Sequence, residues 1–154
     1  MDNNWFFCEG ELTMKNRKIR VLVGKTGLDS DATKARFIAR SLRDDGGMEI
    51  IYTGLYRTIE ELVESAIQED VDIVLVSIYS GSHMTVFPQL REALNNKSAR
   101  DIILIGEGLV PDIQIKELKE SGTVEEIFKS GTSVKKITEW INRVIAEKRN
   151  LEKN

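Results

Sequence analysis

Apolar residues alternate between two rhythms from residue 18 to the end of this chain. Three short stretches, Ile19–Val23, Val71–Val76 and Asp101–Ile105, are almost continuously apolar and rich in branched side chains. Stretches of that length and composition are expected of parallel strands covered on both faces. They predict strands near 18–24, 71–76 and 101–106, and weaker signals add strands near 48–53 and 124–128. Between them, apolar positions recur at helical spacing near 32–45, 58–69, 83–95, 112–121 and 133–148. In the first of these helices Ala35, Phe37, Ile38 and Leu42 are expected to point inward. In the last, Ile137, Ile141, Val144 and Ile145 share one face, with Trp140 beside them. Thr58 followed by Glu61 forms a capping box, and Gly46-Gly47 stops the first helix.

Five strand–helix units predict an α/β fold, a flavodoxin-like (Rossmann-type) doubly wound parallel sheet of order 2-1-3-4-5 with right-handed crossovers. In such a sheet ligands bind outside the carboxyl ends of the strands. That edge gathers four loops, 25–31, 77–83, 106–111 and 129–133, all rich in Gly, Ser or Thr. Such residues permit close backbone approach to a ligand, and they are equally the residues of ordinary tight turns. Residues 1–17 lack periodicity and read as an N-terminal extension, 18–148 as the α/β domain and 149–154 as a charged tail. The extension carries an apolar triplet, Trp5, Phe6 and Phe7, expected either to pack on the domain's own surface or to dock a partner.

Charge and composition narrow the partners. Acidic and basic residues are interspersed at a net charge of −3, so no basic stripe marks a nucleic-acid surface. The cluster Lys15, Arg17, Lys18 and Arg20 reads as the solvated start of a strand. No stretch approaches the roughly eighteen consecutive apolar residues of a spanning helix, so no membrane association is expected. Nothing before Met14 has the form of a signal peptide, and the lone Cys8 cannot form an internal disulfide. A reducing cytoplasm is the expected compartment.

Several familiar chemistries fail on the residues. Gly24-Lys25-Thr26 looks like the end of a phosphate-binding P-loop, but that motif needs a glycine where Ile19 stands in mid-strand. A phosphate-accepting receiver of this fold needs an aspartate at the end of strand three, where this chain has Ser77. A flavin phosphate would meet Asp29 and Asp31 on the first loop and be repelled. Those two carboxylates fall short of the roughly six oxygens that a hard cation takes. His83 is the only histidine, and at the start of a helix after Gly81-Ser82 it reads as a local hydrogen-bonding residue. A zinc site needs several His or Cys ligands, so no metal ligand is assigned.

The first loop nevertheless carries a signature. Lys25-x-Gly27-x-Asp29 resembles the corrin-binding loop Lys-x-Gly-x-Asp-x-His-Asp-x-Gly of the cobalamin-binding domain of the methylmalonyl-CoA mutase family. Further blocks agree in order and spacing from about Lys18 to Ile145. Ala35, Ile38 and Ala39 fit the helix after that loop. Ser77-Ile78-Tyr79 and the trailing Gly81-Ser82-His83 resemble the Ser-x-Leu loop and its Gly-His. Gly106-Glu107-Gly108-Leu109-Val110-Pro111 resembles Gly-Gly-x-Ile-Pro, and Phe128-Lys129-Ser130-Gly131-Thr132 resembles Phe-Gly-Pro-Gly-Thr. The resemblance implies cofactor contacts at Lys25, Gly27, Asp29, Asp31, Ser77, Tyr79, Gly81, Gly106, Glu107, Gly108, Gly131 and Thr132. Within it, Ser77 is the serine that bonds the tail base of cobalamin.

The departures fall in the ligand site. Asp31 occupies the position of the cobalt-ligating histidine, and a carboxylate is a harder, weaker donor to cobalt than imidazole. Lys34 stands where the family has a glycine, Tyr79 replaces the leucine and Lys129 a further glycine. Glu107 replaces the glycine that makes room for the tail base, and is expected either to point away or to close the slot, with Lys129 as its candidate ion-pair partner.

The resemblance implies the small, cofactor-binding subunit of a two-component acyl-CoA mutase, an isomerase. It would bind cobalamin (adenosylcobalamin) without a protein histidine, and a large acyl-CoA-binding subunit or a second copy would meet its loop face. It is not an enzyme by itself. The alternative is a homologue that has lost cobalamin and serves as a regulatory or structural partner. A third class reuses Lys25, Asp29, Asp31 and Glu107 as an unrelated polar constellation.

Overall fold

The computed structural model describes residues 17–26, 32–55 and 57–153. The aromatic triplet Trp5 to Phe7 and the site candidates Gly27, Asp29 and Asp31 lie outside them. Five parallel strands, β1 (Arg20–Gly24), β2 (Glu49–Tyr52), β3 (Ile73–Ile78), β4 (Ile103–Gly108) and β5 (Glu126–Lys129), form one sheet of order β2-β1-β3-β4-β5. Five helices alternate with them: α1 (Thr33–Asp44), α2 (Ile59–Gln68), α3 (His83–Asn96), α4 (Asp112–Glu120) and α5 (Val134–Leu151).

The period-two alternation of the strands divides the core into two layers. Val21, Val23, Ile73, Leu75, Ile103, Ile105 and Phe128 pack with α1 and α5. Leu22, Val74, Val76, Ile78, Leu104 and Ile127 pack with α2, α3 and α4. β3 and β4 are covered on both faces and buried along their whole length, which is why Ile73–Val76 and Ile103–Ile105 read as continuous apolar runs. Half of the predicted capping box is present: Thr58 Oγ1 accepts from Glu61 N at 3.1 Å, while the Glu61 carboxylate pairs with Arg57 at 3.5 Å. On α5, Ile137, Ile141 and Ile145 are buried, and Trp140 meets Phe128 edge to face at 5.6 Å.

Three expectations are corrected. Phe37 is 63% exposed, because the buried stripe of α1 is Ala35, Ile38, Ala39 and Leu42, and Phe37 sits about 100° off Ile38. Strands β3 and β4 end two residues later than their apolar runs. The register pairs Ser77 with Glu107 and Ile78 with Gly108, so Ser77, Gly106, Glu107 and Gly108 are strand residues rather than loop. The chain end is helical as far as Leu151, not a tail from 149. It is held at the amino edge of the sheet, where Lys148 Nζ donates to Asp101 O at 2.5 Å and Arg149 to Arg17 O at 3.0 Å. Arg17 and Arg20 in turn pair with Asp70, Asp72, Glu49 and Glu69.

Candidate functional site at the carboxyl edge of the sheet

The alternation that places Val23, Leu75 and Ile105 toward α1 and α5 continues one step further up each strand. It puts Lys25, Ser77 and Glu107 on that same face, at the carboxyl edge. All three are buried: Lys25 and Ser77 are 0% exposed and Glu107 is 4% exposed. A carboxylate buried without partners costs several kcal/mol (about 2–7 even for an uncharged polar group). Here it has them. Ser77 Oγ donates to Glu107 Oε2 at 3.1 Å, and the Tyr79 hydroxyl donates to Glu107 Oε1. Hydrogen bonds to an ionised acceptor are roughly twice as strong as neutral ones, so the pair holds Glu107 in place.

Two lysines complete the cluster. Lys25 Nζ donates to Ser77 O at 3.4 Å and lies 5.5 Å from the Tyr79 ring centroid. From α1, Lys34 reaches over the other side of the cluster, with Nζ 4.7 Å from the Tyr79 centroid and 2.5 Å from Ser130 Oγ. A cation held over an aromatic face is stabilised by about 0.5–2 kcal/mol. The cluster is therefore continuous from Lys34 through Tyr79 and Glu107 to Ser77. Lys129 does not join it. Its ammonium pairs with Asp112 at the start of α4, correcting the expected pairing with Glu107. Side chains of β4 and β5 at Glu107 and Lys129 are one register step apart, and Asp112 lies on the nearer, exposed side.

The glycines of the edge serve different ends. Gly106 faces the opposite layer, where a Cβ would fall 2.3 Å from Phe87 Cζ, so its missing side chain makes room for Phe87. Gly108 has φ +155°, and a Cβ there would lie 1.8 Å from Ile78 O; only glycine lets β3 and β4 close together at this level. Around Gly81 and Gly131, by contrast, nothing lies within 4 Å of a built Cβ. Thr132 turns its hydroxyl inward onto Lys129 O at 2.7 Å, and Ser130 N bonds Gly108 O, tying the last two loops together. His83 is 6% exposed and its Nε2 bonds Gln114 Oε1. Among the described residues no group of three His, Cys, Asp or Glu is placed to hold a metal ion.

Sequence reasoning missed Ser130 and Phe87. Ser130 sits in a segment read as a family loop, and its role depends on a lysine almost a hundred residues away. Phe87 shows only as one apolar position on a helix.

Residues 19–137 match the model of the B12 binding domain. The chain is 41% identical, over 86% of its length and 96% of the relative's, to the 2-hydroxyisobutanoyl-CoA mutase small subunit of Aquincola tertiaricarbonis. It is 36% identical, over 81% of its length and 82% of the relative's, to the pivalyl-CoA mutase small subunit of Xanthobacter autotrophicus. Among solved structures, a cobalamin-binding protein from Desulfitobacterium hafniense superposes with a TM-score of 0.69 at 13% identity, covering 82% of this chain and 59% of that one. That likeness bears on the fold alone. Together with the Lys25, Ser77 and Gly106–Pro111 blocks, the family match and the two small subunits settle the ancestry: the chain belongs to the B12-binding domain family and resembles the small subunits of acyl-CoA mutases.

Proposed function

We propose that this chain is the cofactor-carrying subunit of a two-chain, cobalamin-dependent acyl-CoA mutase, holding the corrin ring on its carboxyl edge without a protein histidine on cobalt. A separate large subunit binds the acyl-CoA. The observation that carries the reading is the extent of the match: the chain spans nearly all of a relative that is itself a mutase small subunit. The methylmalonyl-CoA mutases it also matches are covered over less than a fifth of their length, 17% in the Rhizobium meliloti protein.

The residues of the edge fit a flat ring above them. Gly81 and Gly131 leave space on two sides, and Lys34 and Tyr79 form a firm platform between. When bound, cobalamin supplies the radical chemistry of carbon-skeleton rearrangement, which is the cofactor's own. The chain's part is to bind and orient. Lys25, Gly81, Gly131 and the Lys34–Tyr79 pair would form the floor of the site, with Gly27, Asp29 and Asp31 contributing from the first loop. A histidine ligand is not available: Asp31 holds its place in the sequence, and the chain's single histidine, His83, is buried and engaged with Gln114.

The test is a titration of the purified chain with hydroxocobalamin, adenosylcobalamin and tail-free cobinamide, read by visible absorbance and calorimetry. Saturable one-to-one binding of a corrinoid is expected, with a bound spectrum unchanged by His83→Ala. Absence of heat and of spectral change with all three would reject the reading. It would favour the second one, a cofactor-free partner protein, for which the mutual satisfaction of Ser77, Tyr79 and Glu107 is the supporting observation.

A further inference from the structure

Three of the positions at which this chain departs from the family pattern touch one another. Lys34 lies on α1, Tyr79 follows β3 and Glu107 belongs to β4, yet Lys34 covers the Tyr79 ring and Tyr79 donates to Glu107. Beneath them Ser77 is fully buried with its hydroxyl on the other Glu107 oxygen. Resting on the function proposed above, we propose that Lys34, Tyr79 and Glu107 act as one closure against the nucleotide tail, so that the chain selects corrinoids lacking a bulky lower base over cobalamin itself.

The physical argument is one of access and satisfaction. A tail base can reach the space beside Ser77 only by displacing the Glu107 carboxylate, and Tyr79 and Lys34 stand over that route. The closure is tied down at its far end, because Lys34 Nζ also bonds Ser130 Oγ at 2.5 Å. The benzimidazole base of cobalamin offers one free ring nitrogen as acceptor. It cannot replace two carboxylate oxygens that receive two hydroxyl donors. Its entry leaves a buried hydroxyl unsatisfied and requires a charged group to be moved, which is costly on both counts. A corrinoid without that base makes no such demand and rests on the floor of Gly81, Gly131 and the undisturbed Lys34–Tyr79 platform. Specificity then comes from what the site rejects.

Calorimetric titration of the full chain with cobinamide and with hydroxocobalamin tests this. Cobinamide is expected to bind at least tenfold more tightly than hydroxocobalamin. Glu107→Gly should raise affinity for hydroxocobalamin tenfold or more and leave that for cobinamide within about twofold. Glu107→Gln keeps the shape but removes the charge and one of the two acceptor oxygens, so it should narrow the preference for cobinamide without abolishing it; this variant also serves if Glu107→Gly melts too low to titrate. Equal binding of the two corrinoids by the wild-type chain would overturn the closure while leaving the proposed function intact. A preference for cobinamide that is identical in wild type, Glu107→Gln and Glu107→Gly would also overturn it, because Glu107 would then have no part in the selection. Failure of both corrinoids with every variant would instead reject the function on which the inference rests.

Discussion

Gly106→Ala is the substitution whose cost the structure fixes most directly. Gly106 lies in β4, in register with Val76 of β3 and Ile127 of β5, so its backbone is held between two strands. The added methyl would stand 2.3 Å from Phe87 Cζ and 3.1 Å from both Cε atoms, against 3.4–4 Å for ordinary contact. The ring must therefore withdraw by about 1 Å, and Phe87 is fully buried among Val86, Leu90 and the β3 and β4 side chains. Interiors are packed as densely as organic crystals, so the movement propagates. Overpacking of this kind costs about 1–3 kcal/mol. For a domain of this size each kcal/mol lowers Tm by about 2–4 °C, which gives a fall of about 2–12 °C. Thermal unfolding of wild type, Gly106→Ala, Phe87→Leu and the double variant forms a closed cycle. The smaller side chain of Phe87→Leu vacates the contested space, so the two changes together should be at least about 1 kcal/mol less damaging than their sum. A Gly106→Ala protein within 0.5 °C of wild type, or a cycle with no coupling, would show that the glycine is not there for Phe87. It would return Gly106 to the ligand side of the sheet.

Tyr79→Phe removes one of two donors to a buried carboxylate and is expected to cost about 1–3 kcal/mol in urea denaturation, with m unchanged; a neutral result would mean that Glu107 turns to solvent when Tyr79 releases it. Ser77→Ala should cost a similar amount, and the triple variant Ser77→Ala, Tyr79→Phe, Glu107→Gln less than the sum of the first two. At the amino side of β5, burial pushes the Glu125 carboxyl above its ordinary 4.5, against the pull of Arg91 and the hydrogen bond from Leu104 N. The folded chain thus holds that proton more tightly than the unfolded one. The stability it contributes is full below the ordinary value and lost as pH rises through the folded value. With 40% of the side chain exposed, the effect is small, and Glu125→Gln should flatten the fall of Tm above pH 4.5 only slightly. An unchanged slope would place the carboxylate in water.

Much of this protein was legible before any coordinates. Because β1, β3 and β4 are covered on both faces, each carries an apolar run of three or four residues, and five strand–helix units leave few arrangements other than a 2-1-3-4-5 sheet. The Thr58 cap and the stripe of α5 were legible for the same reason: each depends on residues within a turn or two of one another. Phe37 was legible too: Thr33, Lys34, Arg40 and Ser41, its neighbours at helical spacing, are polar and set it off the buried stripe, which its hydrophobicity alone does not show.

The sequence by itself determined the family, the order of the elements and the edge at which Lys25, Ser77, Glu107 and the glycines assemble. Only the tertiary structure decided what those residues do to one another. It sent Lys129 to Asp112 and not to Glu107, gave the open side of Gly106 to Phe87, and joined Lys34, Tyr79 and Glu107 into one cluster. The physical reason is the range of the interactions. Strand and helix patterns are set by burial along a short stretch of chain. A hydrogen bond between β3 and β4, or a lysine of α1 lying over a tyrosine, is fixed by packing between elements many residues apart, and no local periodicity records it.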